Sequence, residues 1–374
     1  MDSKKVIVVG GSFGGLATGL TLNCTGWDVE IFEQSKNELI DRGAGLVVQM
    51  ELLEYLENHG IVTREAISVP SRFRQSINKN GEIISGEAVF QLMTSWNVVY
   101  KQLYDVFPNE KYNHGFSMTK FEKLGNEQIR VHFQNGETRV CDLLIGADGV
   151  DSQCRKQVLP NFDVKYSGYL AWRGLIDEND LTDEMLDLVE EKFTLLTMPN
   201  SHLLSYLIPS IEGNSKGDRR FNWVWYWNVP EEKLQDIMTD VNGKTHKYFV
   251  PPKFVQPKHF ENQMKIAKEY FPKILFNLIN LTKDPFIQPV YDVAVPKMVF
   301  GNVCLVGDAA FIPRPHTASG VSKAVTNAID LAENLKKFSG NIEQALSEWE
   351  KTELRLGKYL EMIGKQLGRK SQGK

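Results

Sequence analysis

The sequence predicts an α/β protein with a helix-flanked parallel sheet, a second and mostly antiparallel sheet, and a C-terminal helix. Three observations predict it. A β-branched run, Val6-Ile7-Val8-Val9, breaks on glycines and passes directly into a helix-compatible stretch and a second apolar strand. Two more short apolar runs, Leu143–Ile145 and Val303–Val306, each end on a glycine with an aspartate close behind. Between them, residues 160–230 carry the two-residue alternation of strands.

The first unit is a dinucleotide-binding βαβ. Gly10 permits the tight turn out of the strand, Gly15 lets the helix pack close to the sheet, and helix-start N–H groups face a pyrophosphate. Glu33 closes the second strand, Asp28–Phe32, where a carboxylate accepts ribose hydroxyls. Ser12 stands where the strict pattern has glycine; it keeps backbone access, and its hydroxyl could reach a phosphate. Further on, residues 50–59 read as a short helix, Asn80-Gly81 as a hairpin turn, and Thr94–Phe107 as a helix. Residues 129–140 turn at Asn135-Gly136 as a second hairpin and run into Leu143–Ile145. Phe221, Trp223, Trp225 and Trp227 share one face of a strand, as either a sheet face packed on a core or a wall of an aromatic pocket. Ile342–Leu367 has helical spacing suited to packing, and the basic stretch 368–374 reads as a solvated end. The expected division is 1–70, 98–160 and 286–345 for a Rossmann-like nucleotide domain, 71–97 and 161–285 for a substrate domain, and 346–374 for the helix and tail.

A length of 374 residues suffices for two domains, and 42% hydrophobic with 24% charged residues is ordinary for a globular protein. A net charge of −4 gives no case for nucleic acid or an anionic membrane. Cys24, Cys141, Cys154 and Cys304 are widely spaced, which suits buried thiols in a reducing compartment. No signal peptide precedes the first strand and no apolar run is long enough for a bilayer, so the expectation is a soluble cytoplasmic protein. His59, His114, His132, His202, His246 and His259 form no metal spacing and read as surface residues; no metal is expected.

Two motifs extend the nucleotide unit: Gly146-Ala147-Asp148-Gly149-Val150-Asp151-Ser152-Gln153-Cys154-Arg155, and Gly307-Asp308-Ala309-Ala310 with Pro313-Arg314-Pro315-His316-Thr317-Ala318-Ser319-Gly320. Asp308, at a strand end, suits a polyol hydroxyl, and the small-residue run 317–320 opens a helix whose N–H groups could stabilise negative charge on a flavin. With the N-terminal unit, these motifs resemble the single-component FAD-dependent aromatic hydroxylases of the para-hydroxybenzoate hydroxylase fold. Arg42–Gln49, Gly168–Gly174 and Trp225–Val229 narrow the resemblance to the 2,6-dihydroxypyridine 3-hydroxylase group.

The resemblance implies that Gly10, Gly11, Ser12, Phe13, Gly14 and Gly15 cradle the FAD pyrophosphate and that Glu33 and Gln34 meet the adenosine. It places Arg42 near the pyrophosphate or ribityl chain, Met118 on the cofactor, and Asp148 and Arg155 near FAD and a transient nicotinamide. Asp308 would hold the ribityl chain, and Pro315, Ala318, Ser319 and Gly320 would lie along the isoalloxazine. Here Ala318-Ser319-Gly320 replaces the family's Gly-Gln-Gly, and Ser95-Trp96-Asn97 stands where many members carry a flavin-contacting arginine. The implied reaction uses NADH or NADPH as transient reductant and O₂. A flavin C4a-hydroperoxide then hydroxylates a small electron-rich aromatic or hydroxypyridine-like ring. Trp172, Arg173, Trp225, Trp227 and His316 are the candidate substrate residues. His316 is the catalytic candidate, either orienting or deprotonating a substrate hydroxyl, or bonding only to backbone. Arg173 either meets an anionic substrate or pairs with a carboxylate. A flavin-dependent halogenase, suggested by Trp225-Tyr226-Trp227-Asn228-Val229-Pro230, and a non-catalytic flavin-binding scaffold or sensor are the alternatives. Monomer and homodimer are both open.

Overall fold

The computed structural model describes residues 4–40, 43–61, 65–125 and 127–373, so Arg42 lies outside the described residues. The chain begins with β1 (Lys5–Val9), α1 (Phe13–Cys24), β2 (Asp28–Glu33), β3 (Gly45–Val47), α2 (Met50–Asn58), β4 (Val69–Ile77), β5 (Ile83–Ser95), α3 (Trp96–Val106) and β6 (Tyr112–His114). It continues through β7 (Met118–Lys123), β8 (Ile129–Phe133), β9 (Thr138–Cys141), β10 (Leu143–Gly146), α4 (Gln153–Val158), β11 (Lys165–Asp177), α5 (Asp183–Val189), β12 (Lys192–Met198), β13 (Ser201–Ile208) and β14 (Arg220–Asn228). It ends with α6 (Glu231–Ile237), α7 (Pro257–Tyr270), α8 (Lys273–Asn280), β15 (Phe286–Ala294), β16 (Val303–Leu305), β17 (Phe311–Ile312), α9 (Ser322–Lys337) and α10 (Ile342–Gln372).

The first sheet is parallel, in the order β16-β10-β1-β2-β6. Its strands β16, β10 and β1 are apolar almost along their length because both faces are covered. Val6, Ile7 and Val8, with Leu143, Leu144 and Ile145, are almost wholly buried. The turn after β1 needs its glycines. Gly10 has φ +103°, and a Cβ there would lie 2.3 Å from the Ala147 carbonyl oxygen; one at Gly15 would lie 1.8 Å from the Gly10 oxygen. The small sheet β7-β8-β9 packs beside this unit, and the expected hairpin closes at Asn135-Gly136.

The second sheet has nine strands, β17-β15-β11-β14-β13-β12-β4-β5-β3, antiparallel except between β12 and β4. Strands 45–47, 286–294 and 311–312, grouped by the sequence with the nucleotide domain, pair into this sheet and stitch the two units together. Strand alternation gives its faces different tasks. Leu170, Trp172, Phe221, Trp223 and Trp225 face α7 and α8, packing with Leu275, Leu278 and Ile279. Tyr169, Ala171, Val224 and Tyr226 face the other way.

This corrects three sequence expectations. Trp172 and Trp225 are core residues, with ring centroids 6.0 Å from Phe260 and 4.6 Å from Phe271 respectively. Trp227 packs edge-on against Trp225 in that same layer. The stripe shares one face as expected, and that face is the core.

The C-terminal segment is corrected too. The helix α10 continues to Gln372, which is fully buried, so the last turn of α10 is docked. Glycines make the docking possible. Gly357 faces the Phe311 ring, and Gly364 and Gly368 face Arg314. Arg314 in turn forks onto Asp292 of β15 with two bonds of 2.8 Å.

Candidate active site

Ser12 caps α1 without a side-chain bond, leaving its hydroxyl and the first-turn N–H groups to another acceptor. A Cβ on Gly14 would meet nothing closer than 3.9 Å, from Ala147 and Gly307, so backbone access beside the helix start is open. Glu33 accepts from the amides of Gly11 and Ser35, each at 2.8 Å, and each oxygen keeps a lone pair for a ribose hydroxyl. Tyr112 steadies the turn by donating to the Gly11 carbonyl at 2.9 Å. A positive helix end, close backbone approach and a fixed carboxylate fit an FAD pyrophosphate and ribose.

Other predicted residues are occupied with structure. Phe13 is buried edge-on against Trp96, the side chain standing where an arginine was looked for. Gln34 is exposed, and the Met118 side chain is in the core, 3.8 Å from the Cys154 thiol. Asp148 accepts from Ser152 and from the amides of Gln153 (2.7 Å) and Cys154 (3.1 Å), capping α4. The buried Arg155 guanidinium donates to the Ala309 carbonyl at 2.9 Å and to that of Val150, tying the 147–150 loop to the 307–309 turn. Both therefore shape the cofactor groove through the backbone they hold.

Asp308 is half exposed at the groove and pairs with Lys323, whose side chain is wholly buried. The sequence reading missed Lys323; its position in the first turn of α9 was the available signal. Behind this pair, the Gly307 amide donates to Asn327 at 2.9 Å, and Asn327 donates to buried Glu353. Glu353 stands beside Asp330; burial, then that neighbour, pushes its carboxyl up to about 8.

The loop 313–320 borders a cavity of about 880 Å³ that runs from Asp308 and Lys323 of this groove onto the inner face of the large sheet. Pro315, His316, Ala318 and Gly320 line the cavity; Ser319 instead bonds back to Thr317. Ala318 adopts φ +53°, a left-handed conformation that glycine meets without strain. His316 is not bonded only to backbone: its Nε2 lies 2.9 Å from the Tyr169 hydroxyl. Its ring is 4.9 Å from that of Tyr226 and 5.2 Å from that of His202. Burial, then His202 and Arg314, lower His316 to about 3; burial lowers His202 to about 4. Both imidazoles are neutral near pH 7. His202, expected at the surface, is buried, as is His259 on the inner side of α7.

Arg173 enters the cavity and bonds the neutral amide of Gln288 at 3.1 Å; its Nε is buried without a partner. Arg74, from β4, lines the same cavity with its Nε likewise unpartnered and its guanidinium 5.1 Å from the Phe193 ring centroid. Among the described residues neither has a carboxylate within ion-pair distance. Tyr169, His202, Tyr226 and Arg74 are not among the candidate site residues of the sequence. Strand parity was the signal: residues alternate with Trp172 and Trp225, so choosing the tryptophans chose the wrong face.

Fold and site together define a flavoprotein monooxygenase, and the chain belongs to the FAD-dependent aromatic hydroxylases. A family model described as FAD binding domain-like matches residues 166–292. The chain is 34% identical over 374 residues to 2,6-dihydroxypyridine 3-monooxygenase of Paenarthrobacter nicotinovorans, covering 99% of this chain and 92% of that one. The structure of 2,6-dihydroxypyridine-3-hydroxylase from Arthrobacter nicotinovorans superposes with a TM-score of 0.92 at 33% identity, over 99% of this chain and 93% of that one. 6-Hydroxynicotinate 3-monooxygenase of Pseudomonas fluorescens is 25% identical over 93% of this chain and 87% of its own length. In fold, Klebsiella pneumoniae HpxO, solved with FAD and uric acid, is similar at a TM-score of 0.79, 20% identity, 99% of this chain and 89% of that one. The enzyme is thus an FAD-dependent monooxygenase of aromatic substrates. The halogenase reading loses its motif, since Trp225 and Trp227 alternate with Tyr226 as strand neighbours across two faces.

Proposed function

We propose that the enzyme hydroxylates a hydroxypyridine-like ring bound in the 880 Å³ cavity, with a ring oxygen in its ionised form. The observation that carries this is the pair Arg74 and Arg173, cavity guanidiniums that have no carboxylate partner among the described residues and stand beside neutral imidazoles. Both side chains are half-buried with their Nε atoms shut off from water, and an anionic ligand closing over them would offset that lost solvation. Bound FAD, reduced by NADH or NADPH, supplies the activation of O₂. FAD would lie along the turn 10–15, with its ribose at Glu33, its ribityl chain near Asp308 and its ring along 315–320.

The side chains position and polarise. Arg173 and Arg74 hold negative charge on the ring, which keeps it electron-rich. With its proton affinity so low, His316 is suited to exchanging hydrogen bonds with a ring hydroxyl and poorly suited to storing its proton. Burial holds Tyr169 above the ordinary phenol range and Tyr226 at about 12, so both remain donors. The sheet and the loop 313–320 keep water from the reacting centre. The relatives' substrates guide the choice of compounds, and the reading extends to a cytoplasmic enzyme, monomeric or homodimeric.

The test is a panel of hydroxypyridines, phenols and purines given to the holoenzyme with NADH or NADPH. The expected result is ligand-stimulated coenzyme oxidation strongest with a hydroxypyridine, and a product heavier by one oxygen. Stimulation confined to neutral rings, or a flavin that NAD(P)H never reduces, would overturn the reading.

A further inference from the structure

The substrate cavity is closed on one side by the last turn of the chain. Leu367, Lys370 and Ser371 of α10 line it. Gln372, one residue on, is fully buried and anchored twice. Its main-chain carbonyl accepts from Asn228 Nδ2 at 2.9 Å, fixing the helix end to β14. Its side-chain Nε2 lies 2.8 Å from Nδ1 of His202. An amide nitrogen can only donate, so Nδ1 must be the acceptor and His202 must carry its proton on Nε2. The reverse amide orientation would need a proton on Nδ1.

We propose that Gln372 is a positioning residue for substrate binding, setting the tautomer of His202 so that an Nε2–H donor is held among His316, Tyr226 and the bound ring. The last turn of α10 is then part of the substrate site. This rests on reading the cavity as the substrate site. The consequence is local: His202 donates to an ionised ring oxygen, complementing the charge of Arg173. His202 faces Tyr226, with ring centroids 4.9 Å apart, and His316; Arg314, behind His316, is the nearby cation and is forked onto Asp292.

The test uses the full-length holoenzyme labelled with ¹⁵N-histidine, His202 being assigned by its loss in His202→Phe. The expected spectrum shows His202 protonated on Nε2 and bare on Nδ1, with no substrate required. Gln372→Glu should move the proton to Nδ1, because a carboxylate must accept. The same variant should raise KM for the best aromatic ligand about tenfold or more, a loss of about 1.4 kcal/mol, at unchanged FAD content. Gln372→Met keeps the packing and removes the donor. A KM rise there supports the role, while wild-type KM and coupling would overturn it as packing alone. A wild-type His202 protonated on Nδ1 would also overturn it, whether or not any hydroxypyridine is turned over. If the panel finds no substrate but the tautomer responds to Gln372, the substrate reading fails and the positioning contact stands.

Discussion

At the residue scale, the charge in the cavity separates substrate contacts from core contacts. Arg173→Gln removes from the cavity wall a cation that has no carboxylate partner among the described residues, and a charge-assisted bond contributes about 1.5–3 kcal/mol. KM for an anionic ring should rise roughly 10- to 100-fold, with FAD content unchanged; steady-state kinetics beside flavin absorbance check this. Trp172→Ala should behave oppositely. Its side chain lies in the core layer against α7, so it should lower the melting temperature, through a loss of about 3–5 kcal/mol, and leave KM near wild type in whatever folds. Asp308→Ala should lower FAD retention, both by removing a candidate ribityl acceptor and by stranding the buried Lys323 ammonium. Undiminished flavin after gel filtration would remove that assignment. The sequence singles out Gly10, Glu33, Asp308 and His316 as candidates because each belongs to a local motif. It did not carry Tyr169, His202 or Arg74, which come from three strands brought together only by sheet pairing.

At the element scale, α1, α10 and four of the five parallel strands, β1, β2, β10 and β16, were legible because periodicity and glycine turns are local signals. The allocation of strands between sheets was not. Phe286–Ala294 reads as an apolar strand wherever it pairs, and only long-range register assigns it to β11. Likewise, the glycines of α10 look like weak points in a helix, since glycine costs roughly 0.5–1 kcal/mol relative to alanine in a helix interior. The structure reverses that expectation at Gly364. A Cβ there would lie 2.9 Å from the Arg314 backbone nitrogen, so Gly364→Ala should destabilise despite its better propensity. It should also shift the 313–320 loop and loosen FAD, because Arg314 is part of that loop. Thermal unfolding and flavin content check both, and a raised melting temperature with full flavin would show that α10 does not press on the loop.

For the whole molecule, stability is squeezed from both sides of pH by groups held in their neutral forms. His202 and His316 have folded-state values of about 4 and about 3, below the ordinary 6.5. Below pH 6.5 the unfolded chain therefore binds protons that the native state refuses, and stability falls as pH drops toward 4. Glu353 is displaced the other way, to about 8 from the ordinary 4.5. Its contribution is complete below pH 4.5 and is lost as pH rises through 8. Each group contributes a slope of up to about 1.4 kcal/mol per pH unit within its window. The two sides touch different parts of the site. Acid charges the imidazoles that line the substrate cavity, whereas alkali ionises a carboxyl tied through Asn327 to the Gly307 amide of the cofactor turn. Alkaline loss should therefore appear as flavin release accompanying unfolding, and acid loss as failed substrate binding before flavin is lost. Glu353→Gln keeps a neutral hydrogen-bonding group beside Asn327 and Asp330. It should match wild type near pH 5 and gain several degrees in melting temperature near pH 8, with flavin retained to higher pH. Melting curves and flavin fluorescence across pH 5–9 decide the matter. Parallel wild-type and variant profiles would mean that Glu353 is already ionised in the folded protein and that the cofactor turn is not pH-sensitive through it.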